Sequence, residues 1–137
     1  MSVEVGQRNG SLGDGRRRDL ELRTKTFAVE IAGLVGALPH GPVEAVLGKQ
    51  LLRSGTSIGA NYRSAARARS KPDFISKIGI AEEEADETQY WLEILHELGV
   101  ISETEFSRLH REAGEFVAIF VSSGKTAKYG REGVAQD

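Results

Sequence analysis

Apolar or small side chains recur between residues 74 and 95 at steps of 4, 3, 4, 3, 4 and 3: Phe74, Ile78, Ala81, Ala85, Thr88, Leu92 and Leu95. Such a period, held for three heptads, fits an α-helix with one seam against a partner and does not fit a strand, whose side chains alternate every second residue. Trp91, Ile94 and Leu98 form a second row beside the seam. Pro72 suits the first turn of this helix and Gly99 the position just past its end.

Three further segments can cover the seam. The first starts near Asp19, a good N-cap, and places Leu20, Phe27, Ile31, Leu34, Val35 and Leu38 at helical spacing before Pro39-His40-Gly41-Pro42. The second runs from Pro42 to about Arg69, with Val43, Leu47, Leu51, Ile58, Tyr62 and Ala65 on one side. The fourth opens on Ser102-Glu103-Thr104-Glu105, the sequence form of a capping box. It continues through Phe106, Leu109, Ala113, Phe116, Val117 and Phe120, and Gly124 reads as its stop. No segment sustains a period of two. The expectation is all-α: an antiparallel, up-down-up-down four-helix bundle with helices at about 19–38, 42–69, 72–98 and 102–123. Residues 1–18 and 124–137, polar and glycine-containing, read as flexible tails. The 137 residues fit one domain. Two adjacent apolar stripes on the third helix exceed what one bundle core needs, which points to a subunit contact.

The composition excludes several chemistries. There is no cysteine, hence no disulfide, thiolate zinc site or cysteine nucleophile. No apolar run is long enough to span a membrane, and the N-terminus has no apolar signal core, so the expected location is cytoplasmic.

Charge is ordinary in total, at −2, but uneven along the chain. Residues 1–77 carry a balance of +6 and residues 78–137 one of −8. From 49 to 77 there are seven basic residues, Lys49, Arg53, Arg63, Arg67, Arg69, Lys71 and Lys77, against the single acid Asp73. From 78 to 107 there are nine acids and no Lys or Arg. The two blocks can pair with each other, or the basic one can face a polyanion. Arg16-Arg17-Arg18 adds a basic run to the N-terminal tail. Tyr62 lies among the cations, but one such aromatic does not make a base-stacking platform, so contact with phosphate without base reading is what the composition allows.

The middle of the second helix is unusual. Ser54-Gly55-Thr56-Ser57-Ile58-Gly59-Ala60-Asn61 combines two glycines with residues whose side chains compete for backbone hydrogen bonds. Either a loop breaks the helix, or close packing holds it together, with Gly33, Gly36 and Gly79 as possible facing positions.

The stretch Lys49-Gln50-Leu51-Leu52-Arg53-Ser54-Gly55-Thr56-Ser57-Ile58-Gly59-Ala60-Asn61-Tyr62-Arg63 resembles the signature of a family of four-helix-bundle proteins, many of them encoded in intervening sequences of bacterial 23S ribosomal RNA genes. The likeness continues through residues 68–81, then Glu84-Ala85-Asp86-Glu87-Thr88 and Tyr90-Trp91-Leu92, and covers roughly residues 18–123. It implies a bundle that assembles as a ring-shaped homopentamer and has no established catalytic activity. It also implies a relation to the nucleic-acid-binding accessory proteins of diversity-generating retroelements, with RNA or DNA and a reverse transcriptase as the corresponding partners. Ser64 stands where the family often has an acid. Glu82 and Glu83 replace an apolar and a basic residue, which works against strong polyanion affinity.

Catalytic and metal motifs are weak. Glu93-Ile94-Leu95-His96 is one Glu-x-x-His unit, whereas a di-metal bundle needs two, with two more inward glutamates. Ser123-Gly124-Lys125-Thr126 resembles the end of a phosphate-binding loop, but Ile119 occupies the required upstream glycine position and a helix precedes it. No serine lies in a nucleophile elbow. No cofactor or metal is expected, and the chain reads as a non-enzyme. The candidate nucleic-acid contacts are the seven basic residues from Lys49 to Lys77. The candidate subunit interface is Glu84, Glu87, Trp91, Ile94 and Leu98, the two acids meeting basic residues of the second helix in the same or a neighbouring copy. The alternative is a protein-interaction module in which these charges are satisfied without nucleic acid.

Overall fold

The computed structural model describes residues 8–130, with side chains from residue 15 onward. Four helices follow one another: α1, Arg8–Gly36; α2, Pro42–Ala66; α3, Lys71–Glu97; and α4, Glu103–Lys125. A single π turn, Thr126–Gly130, ends the described chain. Among the described residues there is no strand. Short connections reverse the chain three times, giving the antiparallel bundle its sequence pattern demands.

The seam of α3 lies on the axis. Ile78, Ala81, Ala85, Thr88, Leu92 and Leu95 are all buried, and Phe74 packs against them. Facing them are Phe27 and Ile31 of α1, Leu51 and Ile58 of α2, and Leu109, Ala113, Phe116 and Phe120 of α4. Aromatic contacts tie the outer helices to the centre. Phe27 meets Phe116 edge-on at 5.5 Å, and Tyr62 stacks on Phe120 at 5.8 Å. The closing face between α1 and α4 also has a polar clamp: Arg23 donates to Glu112 at 2.7 and 3.1 Å and to Glu115 at 2.8 Å. Its guanidinium also lies over the Phe116 ring.

The helix ends follow local chemistry. Ser70 Oγ accepts from Asp73 N, and Ser102 Oγ accepts from Glu105 N, so both predicted starts are capped by a side chain. Gly99, at φ 77°, closes α3 in the left-handed region, and the amides of Gly99 and Val100 reach back to the carbonyls of His96 and Leu95.

Four expectations need correction. α1 starts at Arg8, so Asp19 is an interior helical residue and residues 8–18 are helix rather than tail. Once the packed part of α1 exists, each residue added in front needs only one further hydrogen bond, and no proline interrupts it. α2 stops at Ala66 with Arg67 as its cap, three residues before the expected end. Gly124 does not stop α4, which runs to Lys125 and widens into the π turn, so residues 124–130 are ordered as helix. Val43, placed on the inner side by spacing, is exposed. Residues 1–7 and 131–137, also assigned to the tails, lie outside the described residues.

The small-residue stretch of α2 is continuous helix, and α1 is the reason. Gly48, Gly55 and Gly59 lie directly against Leu38 and Val35, Ile31, and Thr24, respectively, with no room for ordinary side chains at Gly55 or Gly59. Ser54 is buried where α2 meets α3. Its Oγ lies 2.9 Å from Thr88 Oγ1 and 3.3 Å from the Leu51 carbonyl, while Thr88 Oγ1 lies 2.7 Å from the Glu84 carbonyl. Two hydroxyl protons thus serve a fully buried polar pair, as burial requires. Gly33, Gly36 and Gly79, the proposed facing positions, have nothing within 4 Å of a Cβ built on them. The close approach is made by branched side chains instead.

Candidate nucleic-acid interface

The seven basic candidates do not form one stripe. Antiparallel packing puts the C-terminal part of α2, the N-terminal parts of α1 and α3 and the C-terminal part of α4 at the same end of the bundle. Arg63, Arg67, Arg69, Lys71 and Lys77 belong to that end. Lys49 lies 14 residues before Arg63, or about 21 Å along the helix, toward the other end.

Arg53, in the middle, is already engaged. Its guanidinium pairs with Glu84 at 3.3 Å and with Glu87, both on α3. Trp91 Nε1 donates to the same Glu87 carboxylate at 3.0 Å. The acids of the predicted interface row thus meet a basic residue of the second helix within one chain. Trp91 and Ile94 are half-buried, and Leu98 is exposed.

Lys77 is half-buried and donates to Ser64 Oγ at 3.0 Å. A hydroxyl leaves the lysine's charge uncompensated, where an acid at 64 would cancel it. Arg63, Arg67 and Arg69 are exposed and border a shallow depression with Ser64, Ser70 and Asp73. Tyr62 is buried beneath them against Phe120, and its hydroxyl pKa is raised by that burial, opposed by the nearby charge of Arg17. It is therefore not a stacking surface.

Five contributors to this end were not among the candidates. Arg16, Arg17 and Arg18 are carried by the helical extension of α1. Arg17 and Arg18 line a second depression with Glu21, Ala66 and Arg67. Lys125 and Lys128 arrive from the end of α4 and flank Gly79 and Glu82. The arginine run was visible in the sequence, but only a helix reaching back past residue 16 brings it beside α2.

The opposite end is acidic, with Glu93 and Glu97 of α3 near Glu103 and Glu105 of α4. Glu93 and His96 do not act together. Glu93 Oε2 lies 2.7 Å from His110 Nε2, and His96 Nε2 lies 2.7 Å from Glu103 Oε1. Phe106 sits between the two imidazoles, 4.1 Å from His96 and 4.9 Å from His110 by ring centroids. Glu103 also accepts from Ser107 Oγ at 2.8 Å, and that bond, then the one to His96, holds its carboxyl below the usual range. Among the described residues, no three potential ligands come together as a metal site. Gly124 and Lys125 are helical, so the loop resemblance at residues 123–126 has no phosphate-cradling geometry. No helix among the described residues is long and apolar enough to cross a membrane.

Comparison with known proteins agrees with this architecture. A protein of unknown function from the S23 ribosomal protein family of Bacteroides thetaiotaomicron, solved by crystallography, is similar at 40% identity with a TM-score of 0.75. The similarity covers 80% of this chain and 98% of that one. Among curated proteins there is no match. The family described as 23S rRNA-intervening sequence protein matches residues 19–122, the four-helix body without the front of α1 and the last turn. By that match and that bundle, the chain belongs to the 23S rRNA-intervening sequence protein family.

Proposed function

We propose that this protein is a non-enzymatic nucleic-acid-binding bundle that works as a homo-oligomeric ring, with five copies as the sequence resemblance implies. The carrying observation is the clustering of Arg16, Arg17 and Arg18 with Arg63, Arg67 and Arg69 at one end of the bundle, joined by Lys71 and Lys77. Exposed guanidinium groups with shallow relief and no aromatic platform suit phosphates rather than base edges. RNA and DNA are both acceptable partners, and a ring repeats the same weak contact in every copy. A reverse transcriptase partner, as in the retroelement accessory proteins, would be served by the same surface through a shared nucleic acid.

Binding of labelled RNA and DNA across a salt series tests the proposal. Affinity falls steeply with salt if phosphate contacts dominate, each contact contributing about 0.7 to the logarithmic slope for single strands. Arg67→Glu with Arg69→Glu abolishes binding while the oligomer persists. Absence of binding at low salt, with the oligomer intact, overturns the nucleic-acid reading. It would favour the protein-interaction module, which the Arg53 pairs with Glu84 and Glu87 support.

A further inference from the structure

Two surfaces of the bundle carry apolar side chains and charges that the chain itself leaves unmatched. The first is the groove between α1 and α2, about 450 Å³, floored by Ala28, Gly59 and Ala60. Leu22 on its α1 side is 63% exposed, and beyond its lining Val29 of α1 and Leu52 of α2 are 65% and 37% exposed. Lys25 lines the groove beside Arg18, Glu21 and Arg63, a set with a net positive charge, and has no ion-pair partner among the described residues. The second is the outer ridge of α3, where Ile80, Glu83, Asp86 and Tyr90 follow each other at steps of 3, 3 and 4. Ile80 and Tyr90 are exposed, and Glu83 and Asp86 have no ion-pair partner among the described residues.

The two surfaces also agree in height. Gly59 against Thr24 and Gly55 against Ile31 align α1 with α2. Ser64 with Lys77 and Ser54 with Thr88 align α2 with α3. On that scale, Ile80 stands level with Lys25 and Ala60, Glu83 with Ala28 and Thr56, and Tyr90 with Gly33 and Leu52, each to within about one helical turn. Open space over Gly33 leaves room for an aromatic ring.

We infer that copies of this chain join head to tail, the α3 ridge of one copy seated in the α1–α2 groove of the next without axial shift. This rests on the oligomeric reading above and assigns its contact surface. Ile80 covers Leu22 and Ala60, Tyr90 covers Val29 and Leu52, and Glu83 and Asp86 face Lys25. The row lies one step around α3 from Glu84 and Glu87, which Arg53 occupies within the chain, and from Trp91, which donates to Glu87. Because the two patches differ, the contact is heterologous. A heterologous contact builds a ring where the rotation from copy to copy closes.

Charge reversal tests the pairing, with mass read by light scattering and folding checked by circular dichroism. Lys25→Glu alone, and Glu83→Lys with Asp86→Lys, each drop the assembly toward the 14.9 kDa single chain at a concentration where the native protein is fully assembled. The three substitutions together restore the native mass. An unchanged mass in both reversed variants overturns the inference while leaving the oligomer standing. A fall without recovery in the triple variant overturns the pairing. Loss of RNA binding at native mass in Lys25→Glu would give the groove to nucleic acid and overturn it as well. A native protein of 14.9 kDa overturns both this inference and the oligomeric reading.

Discussion

Replacing Gly55 by Ala adds one methyl group where α2 lies on α1. A Cβ there would stand 2.9 Å from Ile31 Cγ2, 3.1 Å from Cγ1 and 3.3 Å from Cβ. Ile31 is fully buried, and its branch point is one bond from the backbone, so it cannot swing aside. Gly79, also inside a helix, has no atom within 4 Å of the same construction. Each substitution gains about 1 kcal/mol of helix propensity, a term that cancels between the two variants. What remains is overpacking at Gly55, about 1–3 kcal/mol. Gly79→Ala therefore raises stability by about 1 kcal/mol. Gly55→Ala lies about 2 kcal/mol below it, a gap of roughly 6–10 °C in melting temperature for a chain of this size. Urea or thermal unfolding at one fixed protein concentration measures both, since association shifts apparent stability. Ile31→Ala in the Gly55→Ala background removes both γ carbons, so the clash should disappear as a favourable coupling in the double-mutant cycle. A Gly55→Ala protein that melts as high as Gly79→Ala would refute the claim that close packing, rather than local preference, fixes this glycine.

Two further outcomes follow from the polar contacts. Thr88→Val leaves Ser54 without its 2.9 Å partner in the core and lowers stability by about 1–2 kcal/mol. Adding Ser54→Ala returns part of that loss, so a denaturation cycle should give less than the sum of the single changes. The Glu103 carboxyl is held below its ordinary pKa by Ser107 and then His96. A depressed carboxylate contributes stability that is complete above the ordinary carboxylate range and is lost as pH falls through the lowered value. Glu103→Gln should then reduce stability slightly at neutral pH and match the native protein below both values. A loss of the same size at every pH would refute the linkage.

The parts of the fold legible in the sequence are those governed by short-range rules. The α3 seam, the Pro72 and Ser102 starts and the Gly99 stop each need only a period or one local preference, and each lies within a residue of where the sequence puts it. The front of α1 was illegible because its glycines lower helix propensity while the packed part of the helix supports its extension. The glycines of α2 were half legible. That something must pack on them followed from their cost, but Ile31, Thr24 and Leu38 could not be distinguished from Gly33 and Gly36 without the rotation of α1 about its axis. At the basic end, the residue types were visible but not their grouping, since Arg17 and Arg67 are 50 positions apart and line one depression only through the antiparallel return.

The charge blocks show how sequence order becomes spatial order in such a bundle. A block centred on one helix would give a stripe along its length, as the candidates from Lys49 to Lys77 first suggest. This basic block instead straddles the turn between α2 and α3, and the acidic block straddles the turn between α3 and α4. Those turns lie at opposite ends, so the residues from Arg63 to Lys77 and from Glu93 to Glu105 form two poles, while Glu82, Glu83, Glu84, Asp86 and Glu87 lie between them along α3. Lys49 and Arg53, at the far edge of the basic block, are left outside its pole, and Arg53 finds its acids in the adjoining stretch of α3. The run of arginines in α1 reaches the basic pole because α1 enters the bundle there. Copies arranged side by side with parallel axes, as the groove contact requires, place every basic pole on one rim and every acidic pole on the other. In the proposed ring a polyanion would meet one charged rim and be repelled from the opposite one, so its orientation would follow from the position of two turns.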